Sequence, residues 1–258
     1  MYTVNGYLRK GLPENCNANR QMATCVLSNL LGIDNLIPEV RLVELNIGGR
    51  TRVGTIMNKA EGVSPAYLPP EKRASIDKRS FLRDLSNLEL FDALCYQLDH
   101  RLDNYNVVYD ADGCATGVSA FDNDANRTFF PMPVLPGITY AGASSVMKNG
   151  MVNRPFADKD FYLRIRDIGR QVIFQKLSPF LSVAQIIALW RRICILKDAM
   201  ARTELLRPGF MLDSEKWASV DDAEWLDSKY GKTYYSLYRF DTVILDRESR
   251  FKRENECT

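Results

Sequence analysis

One stretch of chain, running from an apolar helix through a polar loop into a β-hairpin, limits the possible folds more than any other feature. Apolar residues recur at helical spacing over 90–98, Asp99 follows directly, and Asn104 comes five positions later. Two strand-like runs joined by a turn at 110–113 then lead to Asp122. Because antiparallel strands bring their open ends together, the sequence predicts that Asn104 and Asp122 lie side by side.

The residue types at these three positions suit phosphoryl transfer. One carboxylate, Asp99, can orient a substrate hydroxyl, while the amide oxygen of Asn104 and the carboxylate of Asp122 can hold a divalent metal over phosphates. The alternative is that all three are capping and turn residues without a chemical role, since Asp and Asn favour such positions. Their placement between an apolar helix and a hairpin that ends in Phe121-Asp122 favours the chemical interpretation.

The composition excludes several classes of partner and site. Lys and Arg total 34 against 32 Asp and Glu, a net charge of +2 that favours neither nucleic acid nor an anionic surface. Six cysteines are scattered without a C-x-x-C pair, and the only histidine is His100, so no zinc-site pattern exists. At 258 residues and 46% hydrophobic, the chain can bury a large core as one domain or two packed lobes.

The sequence has no leader pattern and no long apolar run. Residues at the start of the chain are not basic-then-apolar, and no stretch approaches the roughly 18 apolar residues that span a bilayer. We therefore expect a cytoplasmic protein with reduced cysteines and no membrane span. An effector exported by a bacterium through another signal would show the same pattern.

The remaining periodicities predict an α+β fold. A helix is expected over 17–31 and a hairpin within 40–57. A Ser-x-x-Glu pattern at 86–89 predicts the start of the helix that leads to Asp99. One further helix is expected over 159–176, and another from a capping box at Ser182 to the Pro-Gly pair that follows position 207.

Two motifs resemble those of the phosphoinositide-kinase-like superfamily, including its atypical protein-kinase branches and the HipA-like toxin kinases. In that superfamily the catalytic loop reads Asp-Arg-His-x-x-Asn and the metal motif Ile-Asp-x; here the loop is Asp-His-Arg-Leu-Asp-Asn at 99–104 and the motif is Phe-Asp-Asn at 121–123. In ordinary protein kinases the His and Arg precede the aspartate instead. The resemblance spans roughly 7–197, although only these two acidic motifs are specific.

The resemblance implies roles for five residues of the loop and the hairpin. Asp99 is the implied catalytic aspartate, with Arg101 or His100 as a contact to the transferring phosphate. Asn104 and Asp122 are the implied Mg²⁺ ligands. The implied reaction is Mg²⁺-dependent phosphoryl transfer from ATP to a hydroxyl group of a protein, a lipid or a small molecule.

The resemblance also implies a nucleotide-binding strand and linker. Met57, Asn58 and Ala60 are the implied contacts to adenine. Lys10, or its neighbour Arg9, is the implied cation at the phosphates, with a solvated surface lysine as the alternative. ATP and Mg²⁺ are therefore the expected cofactors.

The resemblance implies a two-lobed, atypical kinase-like fold with a mostly helical C-terminal lobe over 63–258, and the departures from the superfamily pattern predict a reduced N-terminal lobe over 1–62. Only nine residues precede Lys10, no G-x-G-x-x-G is present, and Gln21 stands where a helix glutamate is common. A missing segment or a partner then completes the phosphate cover, or the nucleotide is held differently. The alternative function is that of a catalytically inactive pseudokinase or a kinase-derived interaction module.

Overall fold

The computed structural model describes residues 17–64, 78–97, 104–123, 128–131 and 156–217. Within these ranges the chain forms helices and two-stranded sheets, so the predicted α+β class is confirmed. None of the helices in these ranges is long and apolar enough to cross a membrane.

A helix and a hairpin form the N-terminal part. Helix α1 spans Asn17–Leu30 and ends just before Gly32, whose φ of 57° lies in the left-handed region that favours glycine. Strands β1 (Val40–Ile47) and β2 (Arg50–Met57) pair along their whole length as an antiparallel hairpin. Helix α1 packs against this hairpin. Both elements agree with the sequence-based prediction.

A long helix and a second hairpin form the middle of the molecule. Helix α2 spans Lys78–Cys95, and strands β3 (Tyr105–Tyr109) and β4 (Ala115–Ala120) pair antiparallel after it. In the turn, the carboxylate of Asp110 accepts hydrogen bonds from later backbone N–H groups at 3.0 and 2.9 Å. The predicted hairpin is confirmed, and it packs along α2 through β4.

The predicted start of this helix at Ser86 is wrong. Helix α2 begins at Lys78 and continues through Ser86 and Glu89, which are both buried. Leu85, directly before the Ser-x-x-Glu pattern, is also buried, so the apolar face of the helix extends upstream of the pattern. A capping box is a local signal, and burial of the preceding turn overrides it here.

The described residues 156–217 are mostly helical. Ser182 caps their longest helix as predicted, because its hydroxyl accepts from Gln185 N at 3.4 Å while the Gln185 side chain accepts from Ser182 N at 2.9 Å. A short parallel strand pair was not predicted, since two-residue strands show no alternation of side chains. The elements are β5 (Ala157–Asp158), α3 (Lys159–Asp167), α4 (Arg170–Leu177), α5 (Val183–Leu206), β6 (Met211–Leu212) and α6 (Ser214–Trp217).

The single helix predicted over 159–176 is wrong, because the chain forms α3 and α4 with a break between them. Ile168 and Gly169 have extended backbone conformations, with ψ angles of 126° and 143°. Glycine is unfavourable inside a helix and easily adopts extended conformations, so the break falls at the one glycine of the stretch.

An apolar core surrounds α2 and fixes its C-terminal end. The helix contacts β4, β5 and α5, and its Leu88, Phe91 and Leu94 side chains are fully buried. The division into lobes at residue 62 stays a prediction. Other fully or almost fully buried members of the core are Leu27, Leu31, Tyr105, Val107, Val118, Phe161, Ile173 and Ile193.

Candidate functional site

The candidate site lies where α2 ends and the second hairpin opens. Asn104 directly precedes β3, and its carbonyl accepts a hydrogen bond from Phe121 N at 2.9 Å. The next pair in the ladder joins Tyr105 to Ala120. This register places Asn104 opposite Phe121, the residue directly before Asp122, so both predicted ligands belong to the open end of the hairpin. Their roles as metal ligands stay predictions.

Four of the predicted site residues are not among those that the structure describes. These are Asp99, His100, Arg101 and Lys10. Their implied roles as catalytic aspartate, phosphate contacts and nucleotide cation remain as the sequence predicts them.

Asp122 has a backbone conformation that is costly for a residue with a side chain. Its φ is 59°, in the left-handed region, which costs a non-glycine residue about 1 kcal/mol. A hydrogen bond and a longer contact hold the peptides that follow. The carbonyl of Asp122 accepts from Gln97 Nε2 at 3.2 Å, and the carbonyl of Asn123 lies 3.4 Å from Thr24 Oγ1, whose single proton also has Arg20 O at 2.9 Å. Strain of this kind persists where surrounding contacts impose it, and it concentrates at functional sites.

Gln97, two residues after the end of α2, bonds to both Asp122 and Thr128. Its side-chain N–H donates to Asp122, and its side-chain oxygen accepts from Thr128 Oγ1 at 3.2 Å. Both Gln97 and Thr128 are buried, so these bonds are sheltered from competition with water. Sequence analysis missed Gln97, Thr24 and Thr128. The signal in the sequence was a polar residue, Gln97, at the end of an apolar helix and two positions before Asp99.

The oxygen donors at the hairpin end fit the preference of Mg²⁺ for oxygen ligands. Asn104 contributes an amide and Asp122 a carboxylate, and the buried Oδ1 of Asn123 accepts no hydrogen bond from the described residues. Within the described part of the chain, no three His, Cys, Asp or Glu side chains cluster into a metal site. Among the described residues, Asn104 and Asp122 are the side chains that would hold a metal here, and oxygens of a bound phosphate would be further ligands.

The predicted nucleotide linker is fixed at both of its ends. At its start, Asn58 N donates to Glu39 O at 2.9 Å. At its end, Ala60 O accepts from Asn106 Nδ2 at 3.2 Å, and Val63 forms an antiparallel bridge with Val107. The linker is therefore attached to β3, the strand that begins directly after Asn104.

One face of α1 contacts both the linker region and the hairpin end. Gln21 Nε2 donates to Met57 Sδ at 3.5 Å, and Thr24, three residues later on the same helix face, reaches Asn123 O. Met57 is about one-third exposed, at 37%. The structure thus brings Met57 and Asn123 to neighbouring turns of a single helix.

A half-buried carboxylate joins α2 to the second hairpin. Asp84 accepts from Val118 N at 3.4 Å and from Asn35 Nδ2 at 3.3 Å. Burial raises the pKa of Asp84 to about 6, although both hydrogen bonds and the neighbouring Arg83 act in the opposite direction. This carboxyl group can therefore change its charge in mildly acidic solution.

Comparisons with known proteins support a kinase-like fold and go no further. No family model matches the chain, and no curated protein matches its sequence. The structure of hydra Fam20 with sugar is similar, with a TM-score of 0.51 and 14% identity, and the match covers 80% of this chain and 79% of that chain. Fam20 is an atypical secretory kinase. At this level of identity the likeness shows the fold alone, and that fold is compatible with the two lobes of a kinase.

Proposed function

We propose that this protein catalyses Mg²⁺-dependent phosphoryl transfer from ATP to a hydroxyl group, as an atypical kinase of the phosphoinositide-kinase-like superfamily. The observation that carries the proposal is the pairing of Asn104 with Phe121-Asp122 at the end of a hairpin that follows α2, within a kinase-like fold. The left-handed backbone at Asp122 supports it, because the hydrogen bond from Gln97 to its carbonyl holds the chain here in a conformation that costs energy.

The proposed roles follow from the chemistry of each side chain. Mg²⁺, when bound, neutralises charge on the phosphates and favours in-line displacement. Asn104 and Asp122 orient the triphosphate by holding that ion, and Asp99 orients the acceptor hydroxyl and takes up its proton. Arg101 or His100 stabilises charge on the transferring group. A hydroxyl of a protein, a lipid or a small molecule is the acceptor class.

The nucleotide is proposed to lie along the linker at Met57, Asn58 and Ala60. Support comes from the bonds that tie this linker to β3 and from the contact of Met57 with α1. These attachments keep the adenine region at a fixed distance from the hairpin end, as transfer chemistry requires. Lys10 is the proposed cation at the phosphates.

A substitution at Asp122 tests the proposal directly. Asp122→Asn keeps the size of the side chain and tolerates the left-handed backbone, but it removes the charge that binds metal. We expect ADP release and phosphate transfer in Mg²⁺ and ATP to fall by about 100-fold or more. Asp112→Asn, at an exposed position in the turn at the other end of the same hairpin, is the matched control and should retain full activity. Full activity in Asp122→Asn would overturn the proposal.

The second candidate function is that of a catalytically inactive interaction module. It is favoured by Gln21, whose neutral amide bonds to Met57 and cannot form an ion pair with a nucleotide lysine. Thermal unfolding with ATP, measured with and without Mg²⁺, separates the candidates, since a ligand that binds the native state raises Tm. Stabilisation that requires Mg²⁺ supports the kinase, and no stabilisation in either condition supports the module.

A further inference from the structure

A buried arginine lies behind the candidate site, on a helix far away in sequence. Arg192 in the middle of α5 is only 1% exposed. Its Nε donates to Leu94 O at 2.6 Å, and its Nη1 donates to Phe130 O at 3.3 Å. The guanidinium carbon also lies 5.7 Å from the centroid of the Tyr96 ring. One side chain therefore connects the end of α2 to the segment that follows Asp122.

The position of the guanidinium has a clear electrostatic reason. The last four carbonyls of a helix have no partner within the helix and carry partial negative charge, which favours a cation. Leu94 O belongs to this group, and Cys95 O accepts a hydrogen bond from Phe129 N at 2.6 Å. Burial lowers the pKa of Arg192 to about 10, so the group stays charged at pH 7. Among the described residues no carboxylate pairs with Arg192, and its Nη2 makes no hydrogen bond.

The backbone is strained where Arg192 acts. Tyr96 and Phe129 have φ angles of 59° and 58°, and with Asp122 they are the non-glycine residues of the described ranges that adopt positive φ. Tyr96 lies just before the chain that carries Asp99, and Phe129 just after positions 124–127. Left-handed backbone at such residues persists only where tertiary contacts impose it. The bonds to Leu94 O and Phe130 O are contacts of that kind.

We propose that Arg192 is a positioning residue, which holds the end of α2 and the segment 128–131 at a fixed spacing and thereby positions Asp122, on the chain between them, for its role in the candidate site. This inference rests on the proposed function. The guanidinium has the geometry for the task, because its planar fork can donate to two carbonyls of different segments at once. An ammonium group at the same site is a point charge and does not reproduce that geometry.

The test compares Arg192→Lys and Arg192→Met with matched changes at Arg191, the exposed neighbour on the same helix. We expect Arg192→Lys to lower kcat by about 10- to 100-fold while KM for ATP changes by less than about threefold, since small misplacements of reacting groups act mainly on turnover. Arg192→Met should lower kcat further. Arg191→Lys and Arg191→Met should match the wild type.

Hydrogen–deuterium exchange on the intact protein gives a readout independent of activity. In Arg192→Lys we expect faster exchange in peptides covering 94–104 and 122–131, with unchanged exchange in α1 and in the β1–β2 hairpin. Uniformly faster exchange, or a kcat within about twofold of wild type in Arg192→Lys, would overturn the inference. Should Arg192→Met fail to fold, Arg192→Lys alone decides.

The two proposals fail in different ways. If the wild type transfers no phosphate, the proposed function is overturned, and unchanged exchange in Arg192→Lys would then remove the positioning role as well. If the wild type is active and Arg192→Lys matches it in kcat and in exchange, only the role of Arg192 is overturned.

Discussion

At the scale of single residues, the backbone of Asp122 gives a prediction that needs no assumption about function. Glycine adopts a φ of 59° without steric cost, whereas alanine does not. We therefore expect Asp122→Gly to be more stable than Asp122→Ala by about 1 kcal/mol, as measured by urea denaturation. The same pair of changes at Asp198, an exposed position inside α5, should show the reverse order, because alanine is the better helix former. Equal stability of the two Asp122 variants would contradict the observed backbone conformation.

Asp84 gives a second residue-scale prediction, on the pH dependence of stability. Its pKa in the folded protein is about 6, above the ordinary value of 3.8, so between these values the folded state binds more protons than the unfolded state. The contribution of Asp84 to stability therefore falls as pH rises from about 4 to about 6 and is least favourable above that window. Asp84→Asn should raise the free energy of unfolding at pH 7 by about 1–3 kcal/mol relative to its effect at pH 4.

The control for Asp84 is Asp198→Asn, which changes an exposed carboxylate on α5. Chemical denaturation of wild type and both variants at pH 4, 5, 6 and 7 measures the difference. The structure indicates that the carboxyl group is desolvated. A stability gain in Asp84→Asn that is the same at every pH would contradict this.

At the scale of elements, Gln97 and Thr128 should act as one unit that joins the end of α2 to the segment after Asp122. Thr128→Val removes the hydroxyl that donates to Gln97 and keeps the shape of the side chain, so we expect a loss of about 1–2 kcal/mol. In a Gln97→Leu background the same change should cost less, by about 0.5 kcal/mol or more. Thermal denaturation of the four proteins in this cycle measures the coupling. Strictly additive losses would show that the two side chains do not interact.

Elements with strong periodicity could be predicted from the sequence, and elements set by tertiary contacts could not. Helix α1, both hairpins and the Ser182 cap of α5 depend on local signals, and they appear where the pattern indicates. The start of α2 depends on burial of the turn before Ser86, which a capping pattern does not report. The break at Gly169 and the strand pair β5–β6 likewise depend on packing between distant segments.

For the candidate site, topology was predictable and the supporting contacts were not. The placement of Asn104 opposite Phe121, directly before Asp122, follows from antiparallel pairing alone, so the sequence was sufficient for it. Arg192 and Thr24 lie 62 and 99 residues from their hydrogen-bond partners Phe130 and Asn123. Such bonds have no periodic signature, because neither partner constrains the residues next to it in sequence. A side chain with no pattern of its own becomes interpretable only when the fold brings its partner into reach.

At the scale of the whole molecule, the attachment of the linker to β3 depends on one glycine. Gly62 has a φ of 88°, and a Cβ atom there would lie 2.0 Å from Val107 O, the carbonyl that accepts from Val63 N. Gly49, in the turn of the first hairpin, has a similar φ of 76° but nothing within 4 Å of the equivalent position. A side chain at either position therefore has the same kind of backbone cost. Of the two, only a side chain at Gly62 also clashes with another segment.

We expect Gly62→Ala to be less stable than Gly49→Ala by about 1–3 kcal/mol, because relieving the clash must separate the linker from β3. Exchange of the Val63 and Val107 amides should accelerate in Gly62→Ala alone, since these two groups bond to each other's carbonyls. If ATP binds along the linker, Gly62→Ala should also weaken the Mg²⁺-dependent thermal shift more than Gly49→Ala does. Equal stability of the two variants, together with equal exchange at Val107, would show that the linker is held independently of β3. The adenine region would then have no fixed relation to the hairpin end, and the structural support for nucleotide binding along this linker would be lost.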